Sequence, residues 1–594
     1  MKKLLMMLAV AFMTYGTVFA QQLAFPGAEG FGKYVTGGRG GKVYYVTRND
    51  DCSDANLVEG TLRWALRSGD DTPRTILFKT SGTIYLTSVL KFDHPNVTIE
   101  GQTAPGGGVC VAGYKVYVCK PNVIIRHMRF RPGDLLKKSQ PALDVENTDY
   151  VIIDHCSMTW SMEECLTMYD CDYTTVQWCI IGEGLYNSKN SKGARAYATQ
   201  WGGEHGTMHH CLFTNCNNRT PRFNGVRSAS NNVGDHDQWV DNEFINNVIF
   251  NWGKPNSVYG GECDSTINNG DSYNRTYMVN NFFRPGPLTQ TNVKSTRYFA
   301  QPSSSKGYGQ WYLSGNKFEV GGTYLPDNKI WHADSLAKVN ADNLYGWVQG
   351  WSVKALDNIS ISGKTKQEIY DKYILKSQDV TGGVTTETAD EAFVSVTAKA
   401  GASLPRYDEV DRRLLDEAAG IVEPKFYGKS SSGSADRGIG IINSPSDITL
   451  VEHDTFSALD EGTNLVVETT MWPYLGMRAG DKLAEDTDGD GLPDAYEEAK
   501  GFNKNDASDG AAIASSGYSN LEEYLNGVAD GLINKADYET VSGISAIQSS
   551  DASVVSHRYY SVSGERVDGL KEGVNVVVTV MSDGSERVTK VLGR

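Results

Sequence analysis

PNVIIRHMRF (121–130), DYVIIDHCSM (149–158), TTVQWCII (174–181), GTMHHCLF (206–213) and EFINNVIF (243–250) are five versions of one short phrase. Each is a β-branched or aromatic run bounded by Gly, Asn, Asp or Pro, the signature of a strand held between turns. PNVTIEG (95–101) precedes them, and YMVNNFF (277–283) and WYLSGNKF (311–318) follow. Aligned, the runs set His127, His155, Trp178, His210, Asn247, Asn281 and Asn316 in one column, at intervals of 28, 23, 32, 37, 34 and 35 residues. A period of that size with one strand signal per repeat predicts a solenoid. The runs are too short and too rich in Val, Ile and aromatics for helical repeats. The geometry that fits is an all-β parallel β-helix, in which side chains at the same position stack from coil to coil. Asn in a repeated turn column bonds the backbone of the next coil, and His155 and His210 are read as members of that stack, not as catalysts. The unequal intervals put the additional residues in loops, which gather on one side of a solenoid as its binding face.

Composition narrows the partners. The 594 residues include 56 Lys+Arg and 72 Asp+Glu, a formal charge of −16, which excludes a general nucleic-acid binder because phosphate recognition rests on basic surface. The first twenty residues have Lys2 and Lys3, an apolar run from Leu4 to Met13 and the small-residue stop Val18-Phe19-Ala20, the pattern of an export signal. No later segment is apolar for long enough to span a bilayer. An exported chain is expected to be secreted or attached to the cell surface, and this one is expected to act as a monomer. Export permits disulfides among the ten cysteines. Cys156, Cys179 and Cys211 each close a strand-like run and are read as interior packing; Cys110 with Cys119, or Cys165 with Cys171, are pairs that could be bridged.

One segment departs from the acidic average. From Leu185 to Arg227 the basic residues are Lys189, Lys192, Arg195, Arg219, Arg222 and Arg227 and the only acid is Glu204, a local charge of +5. With Trp201, Phe223 and several glycines, this suits a polyanionic carbohydrate whose carboxylates meet Arg forks and whose rings meet an aromatic face. Upstream, Asp144, Glu146, Asp154, Glu163, Glu164 and Asp170 supply hard oxygen ligands of the kind that hold Ca²⁺.

AFPGAEGFGKYVTGGRGGKVYYVT (24–47), GTLRWAL, VIIDHCSMTWSMEE, KGARAY, WGGE, HHCLF and NRTPRFNG together resemble the family 1 polysaccharide lyases, the pectate lyases, in their Bacteroidota form. The likeness runs from about residue 24 to 345, with a family-typical continuation to about 425. It implies a right-handed β-helix that cleaves de-esterified polygalacturonate, the backbone of pectin, by β-elimination. In the family Ca²⁺ bridges the enzyme and a uronate carboxylate, and an arginine takes the C5 proton. The family's R-x-P-x-x-R pattern falls on Arg219, Pro221 and Asn224, making Arg219 the implied base and Lys192 the implied substrate-binding lysine. Two positions depart from the pattern. Asn224 replaces the second arginine, leaving Arg222 or Arg227 to bind the carboxylate. Pro141 stands where the family has a calcium-ligating Asp, thirteen residues before Asp154, so Asp144, Glu163 and Glu164 are the substitutes. A β-helix glycoside hydrolase, which needs two positioned carboxylates, and a non-catalytic pectin-binding protein are the alternatives.

Two tail units follow a connecting region at 426–480. Residues 481–530 are acidic, and DTDGDGLPDAYE places Asp486, Asp488 and Asp490 at positions 1, 3 and 5 of a calcium loop, with Gly491 at 6, the Leu492 carbonyl at 7, Asp494 at 9 and Glu497 at 12. Residues 545–594 alternate polar and β-branched residues between SG, EG and DG turns, which predicts a small C-terminal β-sandwich. That segment resembles the sorting domain by which the type IX secretion machinery recognises its cargo.

Overall fold

The computed structural model describes residues 21–224, 239–254, 257–261, 273–289, 299–302, 309–320, 333–347, 363, 365–425 and 440–539, and strands between 541 and 593. The expected export signal at 1–20 and Arg227 lie outside the described residues.

The chain winds as a right-handed parallel β-helix. A nine-stranded parallel sheet, from Gly82–Leu86 to Lys317–Phe318, makes one face of the coil. A sixteen-stranded sheet makes the other two, because Leu143–Asp154 and Glu164–Gln177 each turn the corner between them without leaving the ladder. The front face carries Tyr197–Gly203 and Arg222–Phe223, and the side face carries His205–His209 and Trp239–Ile245. Inside, Val, Ile, Leu, Phe and Trp from all three faces form one continuous core. Helix Leu62–Arg67 covers one end of that core, and helix Ala333–Ala341 with the Asn343–Gly346 turn covers the other, as a solenoid's end coils require.

From His127 onward the corner from the side face to the nine-stranded face has two residues, His127-Met128, His155-Cys156, Trp178-Cys179, His210-Cys211, Asn246-Asn247, Asn280-Asn281 and Gly315-Asn316, whereas the first two coils have longer corners at 79–81 and 101–108. The first of each pair is left-handed, with φ between 48° and 54° for six and 67° for Gly315, a conformation that Asn and Gly adopt most readily. The rings of His127, His155, Trp178 and His210 stack in sequence at 5.1, 6.0 and 4.4 Å between centroids. This corrects the expected column by one place: Asn247, Asn281 and Asn316 belong with the cysteines, and Asn246, Asn280 and Gly315 with the rings. His155 and His210 are stack members, as expected.

The second residue of each pair makes a rung. The N–H of Met128 donates to Cys156 Sγ at 3.4 Å and that of Cys156 to Cys179 Sγ at 3.3 Å. The N–H of Cys211 donates to Asn247 Oδ1 at 3.0 Å, Asn247 to Asn281 at 2.9 Å, Asn281 to Asn316 at 3.1 Å and Asn316 to Asn343 at 2.8 Å. Thiol and amide also return a proton to the same place, the carbonyl two residues before the corner of the preceding coil: Cys156 to Ile125 and Asn247 to Met208. The described cysteines are free, and Cys156, Cys179 and Cys211 lie in the interior as expected. Neither suggested bridge is present. Cys165 and Cys171 share one strand, six residues and roughly 20 Å apart along an extended chain, far beyond disulfide reach.

The C-terminal half is fastened to the coil. Helices Ala389–Lys399 and Glu409–Ala419 pack on the nine-stranded face. Beneath them Asp408 and Asp411 pair with the buried Arg129 and Arg131 at 2.5–3.3 Å. The expected connecting region is not a linker: Ile442, Ala458, Trp472 and Leu475 are core residues of the same layer, and Trp472 donates its indole N–H to the Arg131 carbonyl. The acidic segment is docked too, through Leu492, Tyr496, Leu521 and Leu525 against Leu77, Val43 and Tyr45. The strands described between 554 and 593 form one four-stranded antiparallel sheet in which Val554–Ser561 lies between Arg566–Val567 and Gly573–Met581; among the described residues it is a single layer of the expected sandwich. Among the described residues no helix is long and apolar enough to cross a membrane.

Removing the Asn281 rung leaves the Asn247 N–H without its acceptor and the Phe244 carbonyl without its side-chain donor. Asn281→Ala is expected to cost about 2–4 kcal/mol in urea unfolding, from the orphaned donor and acceptor plus the cavity. Burial pushes the His210 imidazole down to about 4, so the folded state binds its proton less readily than the unfolded chain. Stability from this group is full above pH 6.5 and is lost as pH falls toward 4, by on the order of 3 kcal/mol. His210→Asn, the residue type of the next coils, should flatten that part of a stability-against-pH profile.

Candidate active site

Loops from the nine-stranded face to the front face are long and uneven, with twelve residues after Phe130, four after Thr159, fourteen after Gly182 and seven after Thr214. Lys189, Lys192, Arg195 and Arg219 sit on these loops, and Glu163 and Glu164 at the end of one. The basic ridge read from the sequence is therefore a real edge of the solenoid, where four successive coils meet.

Arg219 occupies a left-handed position (φ 63°) just before the cis Thr220-Pro221 peptide. Its Nη1 donates to Glu164 Oε1 and to Gln200 Oε1. Its guanidinium lies 4.2 Å from the centre of the Tyr197 ring. Buried Arg219 Nε has no hydrogen-bond partner. Burial raises the Glu164 carboxyl above the ordinary carboxylate range, against the pull of Arg219. Glu163 gathers a second group: Asn190 Nδ2 at 2.8 Å, Lys192 Nζ at 3.3 Å and Arg195 Nε at 3.5 Å. Arg222 lies beside Gln200 in register and 5.7 Å from the Tyr259 ring.

Asp144, Glu163 and Glu164 do not converge into a cation site. Asp144 pairs with Lys115, Glu163 with Lys192 and Arg195, and Glu164 with Arg219. Asp144 stands opposite Thr167, three residues and roughly 10 Å along the strand from Glu164. Continuing the same register by two residues sets Pro141 beside Glu164, so the carboxylate absent at Pro141 has its nearest replacement one coil away. Trp201 and Phe223, expected to face a sugar, are 1% and 0% exposed and belong to the interior. Tyr197 and Gln200 are the groups that the sequence reading missed. Their signal is their place on the strand that pairs with Glu164–Gln177. Elsewhere, a hollow of about 820 Å³ lies between Tyr85, Tyr114 and Phe456, but Asp454 and Glu461 line it, which opposes a polyanion.

The described residues do contain acidic groups that could hold a metal, and they lie in the tail. Oxygens of Asp486, Asp488 and Asp490 come within 4.8 Å of one another, as do those of Asp490, Glu497 and Asp509. Asp494, expected at the ninth position, instead accepts from Thr487 N and Oγ1, both at 2.7 Å. Burial among the other carboxylates pushes Asp490 up to about 7 and Glu497 up to about 8.

No family model matches the sequence. The probable pectate lyase C of Emericella nidulans is 28% identical over 507 residues, covering 85% of this chain and 92% of the relative. That of Aspergillus fumigatus is 28% identical over 521 residues, covering 87% and 97%. Among solved structures, the major cedar-pollen allergen Jun a 1 and a Bacillus pectate lyase in complex with trigalacturonate each align with a TM-score of 0.37 at 16% identity. Both cover 63% of this chain, with 92% and 98% of their own length matched. At that TM-score they add nothing to the fold read from the ladders above. Its fungal homologues support reading the chain as an enzyme of the polysaccharide lyase class. Within that class its relatives are the pectate lyases.

Arg219→Ala leaves Glu164 buried without its partner. The carboxyl, already raised, rises further, and a raised acid is stabilising below its unfolded pKa and loses that contribution as pH increases. The variant is expected to lose about 3 kcal/mol relative to the parent at pH 8 and much less at pH 4, measured by denaturant unfolding at both. The double variant Arg219→Ala/Glu164→Gln should recover most of the loss.

Proposed function

We propose that the chain is an exported pectate lyase that cleaves de-esterified polygalacturonate by β-elimination, with Arg219 taking the C5 proton. The observation that carries the reading is the Arg219 cluster on the basic ridge of a β-helix whose homologues are pectate lyases. Lys192, Arg222 and Arg195 offer cations to the uronate carboxylates, and Arg227 extends that set in the sequence. Once one of these basic side chains neutralises the carboxylate carried on C5, the C5 proton is more acidic and the enolate-like intermediate is stabilised. Arginine holds its proton in ordinary surroundings, so the base role requires the Arg219–Glu164 pair to separate when substrate binds. Alkaline pH favours such a base. The C5–H electrons then form the C4–C5 double bond and expel the O4 leaving group, giving a 4,5-unsaturated product.

Calcium belongs to this reading through the family resemblance. The described carboxylates of the ridge each hold a basic side chain and do not fit a ready-made site, so no step is drawn through a cation. Glu163 and Glu164 are likewise engaged with basic side chains, which gives the glycoside hydrolase alternative no free carboxylate pair there. Export through the type IX machinery, with the C-terminal segment as its signal, completes the proposal.

The test is incubation with polygalacturonate at alkaline pH, with and without added Ca²⁺. Ultraviolet absorbance from the unsaturated product is expected to rise, and Arg219→Ala should lower kcat by at least about 10²-fold. Reducing ends without that absorbance would favour a hydrolase, and binding without turnover would favour a non-catalytic protein.

A further inference from the structure

The acidic tail holds a cluster of buried carboxylate oxygens without hydrogen-bond partners. Glu497 is 0% exposed, yet neither of its carboxylate oxygens has a hydrogen-bond partner. Asp488 Oδ2 and Asp509 Oδ1 are buried and unpartnered in the same way. Leaving a buried acceptor unpaired costs about 1–3 kcal/mol, more when it is charged, so four such atoms in one cluster need a common partner. Among the described residues the nearest basic group to the cluster is Lys79 Nζ, 3.9 Å from Asp486. Lys504 is occupied with Glu498 and Asp494.

Other contacts aim these oxygens. Gly489 and Gly491 donate to Asp486 at 2.7 and 3.1 Å, and Leu492 and Gly510 to Asp490 at 2.8 and 2.7 Å. Asn503 N holds the second oxygen of Asp509 at 2.9 Å. Gly491 has φ 100°, where a side chain would also strike Leu77 and Leu521, so the loop's turn is pressed against the β-helix. Tyr45, on the side-face strand Lys42–Val46, donates its hydroxyl to Asp486. Arg39 pairs with Glu522 at 2.8 Å, and Lys535 reaches the Thr103 and Ala104 carbonyls at 2.9 and 3.0 Å.

We propose that Asp486, Asp488, Asp490, Glu497 and Asp509 form one Ca²⁺ site, with Asp509 supplied from outside the twelve-residue loop and Asp494 left out, and that the ion clamps the tail to the first coils of the β-helix through Tyr45. Five carboxylates and the Leu492 carbonyl match the six to eight hard oxygens that Ca²⁺ takes in flexible geometry, and exceed what octahedral, water-retaining Mg²⁺ uses. Without the ion, repulsion among five carboxylates opposes the loop and loosens the layer of Leu492, Tyr496, Leu521 and Leu525 over Leu77. The ion is thus a fastener between two parts of the chain, separate from the chemistry of the ridge.

The experiment uses the full chain, stripped with chelator and titrated with Ca²⁺ or Mg²⁺ alone, reading heat of binding and thermal unfolding. One Ca²⁺ is expected to bind in the tail and raise the Tm of the unfolding step, with Mg²⁺ much weaker. Asp509→Asn and Glu497→Gln should each weaken binding at least about tenfold, and Asp494→Asn should leave it within about threefold. Tyr45→Phe should keep most of the affinity while reducing the Ca²⁺-induced rise in Tm. Binding by Asp509→Asn equal to the parent, or an equal effect of Mg²⁺, would overturn the proposal. If a carboxylate variant does not fold, Tyr45→Phe and the Mg²⁺ comparison still decide. No readout depends on lyase activity, so failure of the proposed reaction and failure of the clamp are distinguishable.

Discussion

The structure depends on a corner of constant length. In the seven successive coils from His127 to Asn316, two residues separate the side face from the nine-stranded face, one left-handed and one on the rung that links neighbouring coils. Because a solenoid's repeats touch only their neighbours, a corner that does not change across these coils keeps the register while other corners absorb insertions. The left-handed place accepts Asn or Gly at little cost, and accepts His or Trp because their rings stack and because burial favours the uncharged form of His127 and His210. The rung accepts a thiol or an amide because both receive one proton and return one.

With register secured there, the opposite corner is free to vary, and the ridge of Lys189, Lys192, Arg195 and Arg219 lies on it. Its charges are organised into two clusters around adjacent carboxylates, Glu163 and Glu164, one more exposed and one deeply set. The exposed cluster, with Lys192 reaching into solvent, can meet a passing polyanion. The inner one holds Arg219 between Tyr197, Gln200 and Glu164, restricted in orientation before any substrate is present. The C-terminal helices and the tail pack on the other two faces, so the ridge is left open.

Much of this was legible in the chain. Repeating strand phrases gave the β-helix, and a local excess of six basic residues over one acid located the ridge within an acidic protein. The column was misread by one place because Asn246-Asn247 and Asn280-Asn281 are identical pairs, and only backbone conformation tells which member turns the corner. Trp201 and Phe223 looked like a sugar platform because alternation cannot say which face of a strand is inside when both neighbours are polar. Asp509 escaped because its partnership with Glu497 is set by the docking of a separate turn. Pro141 was the informative exception: its missing carboxylate was visible, and the register beside Glu164 was not.

The ladder has a further consequence in chemical reactivity. Burial holds the Cys156, Cys165, Cys171 and Cys179 thiols well above their ordinary range, so they are neither nucleophilic nor reachable while the coil is closed. The unwound chain presents every one of them. An oxidant or alkylating reagent is therefore blind to these interior thiols in the native molecule and reaches them as coils open, so that the order in which Cys156, Cys179 and Cys211 are labelled would trace where along its axis the solenoid first comes apart.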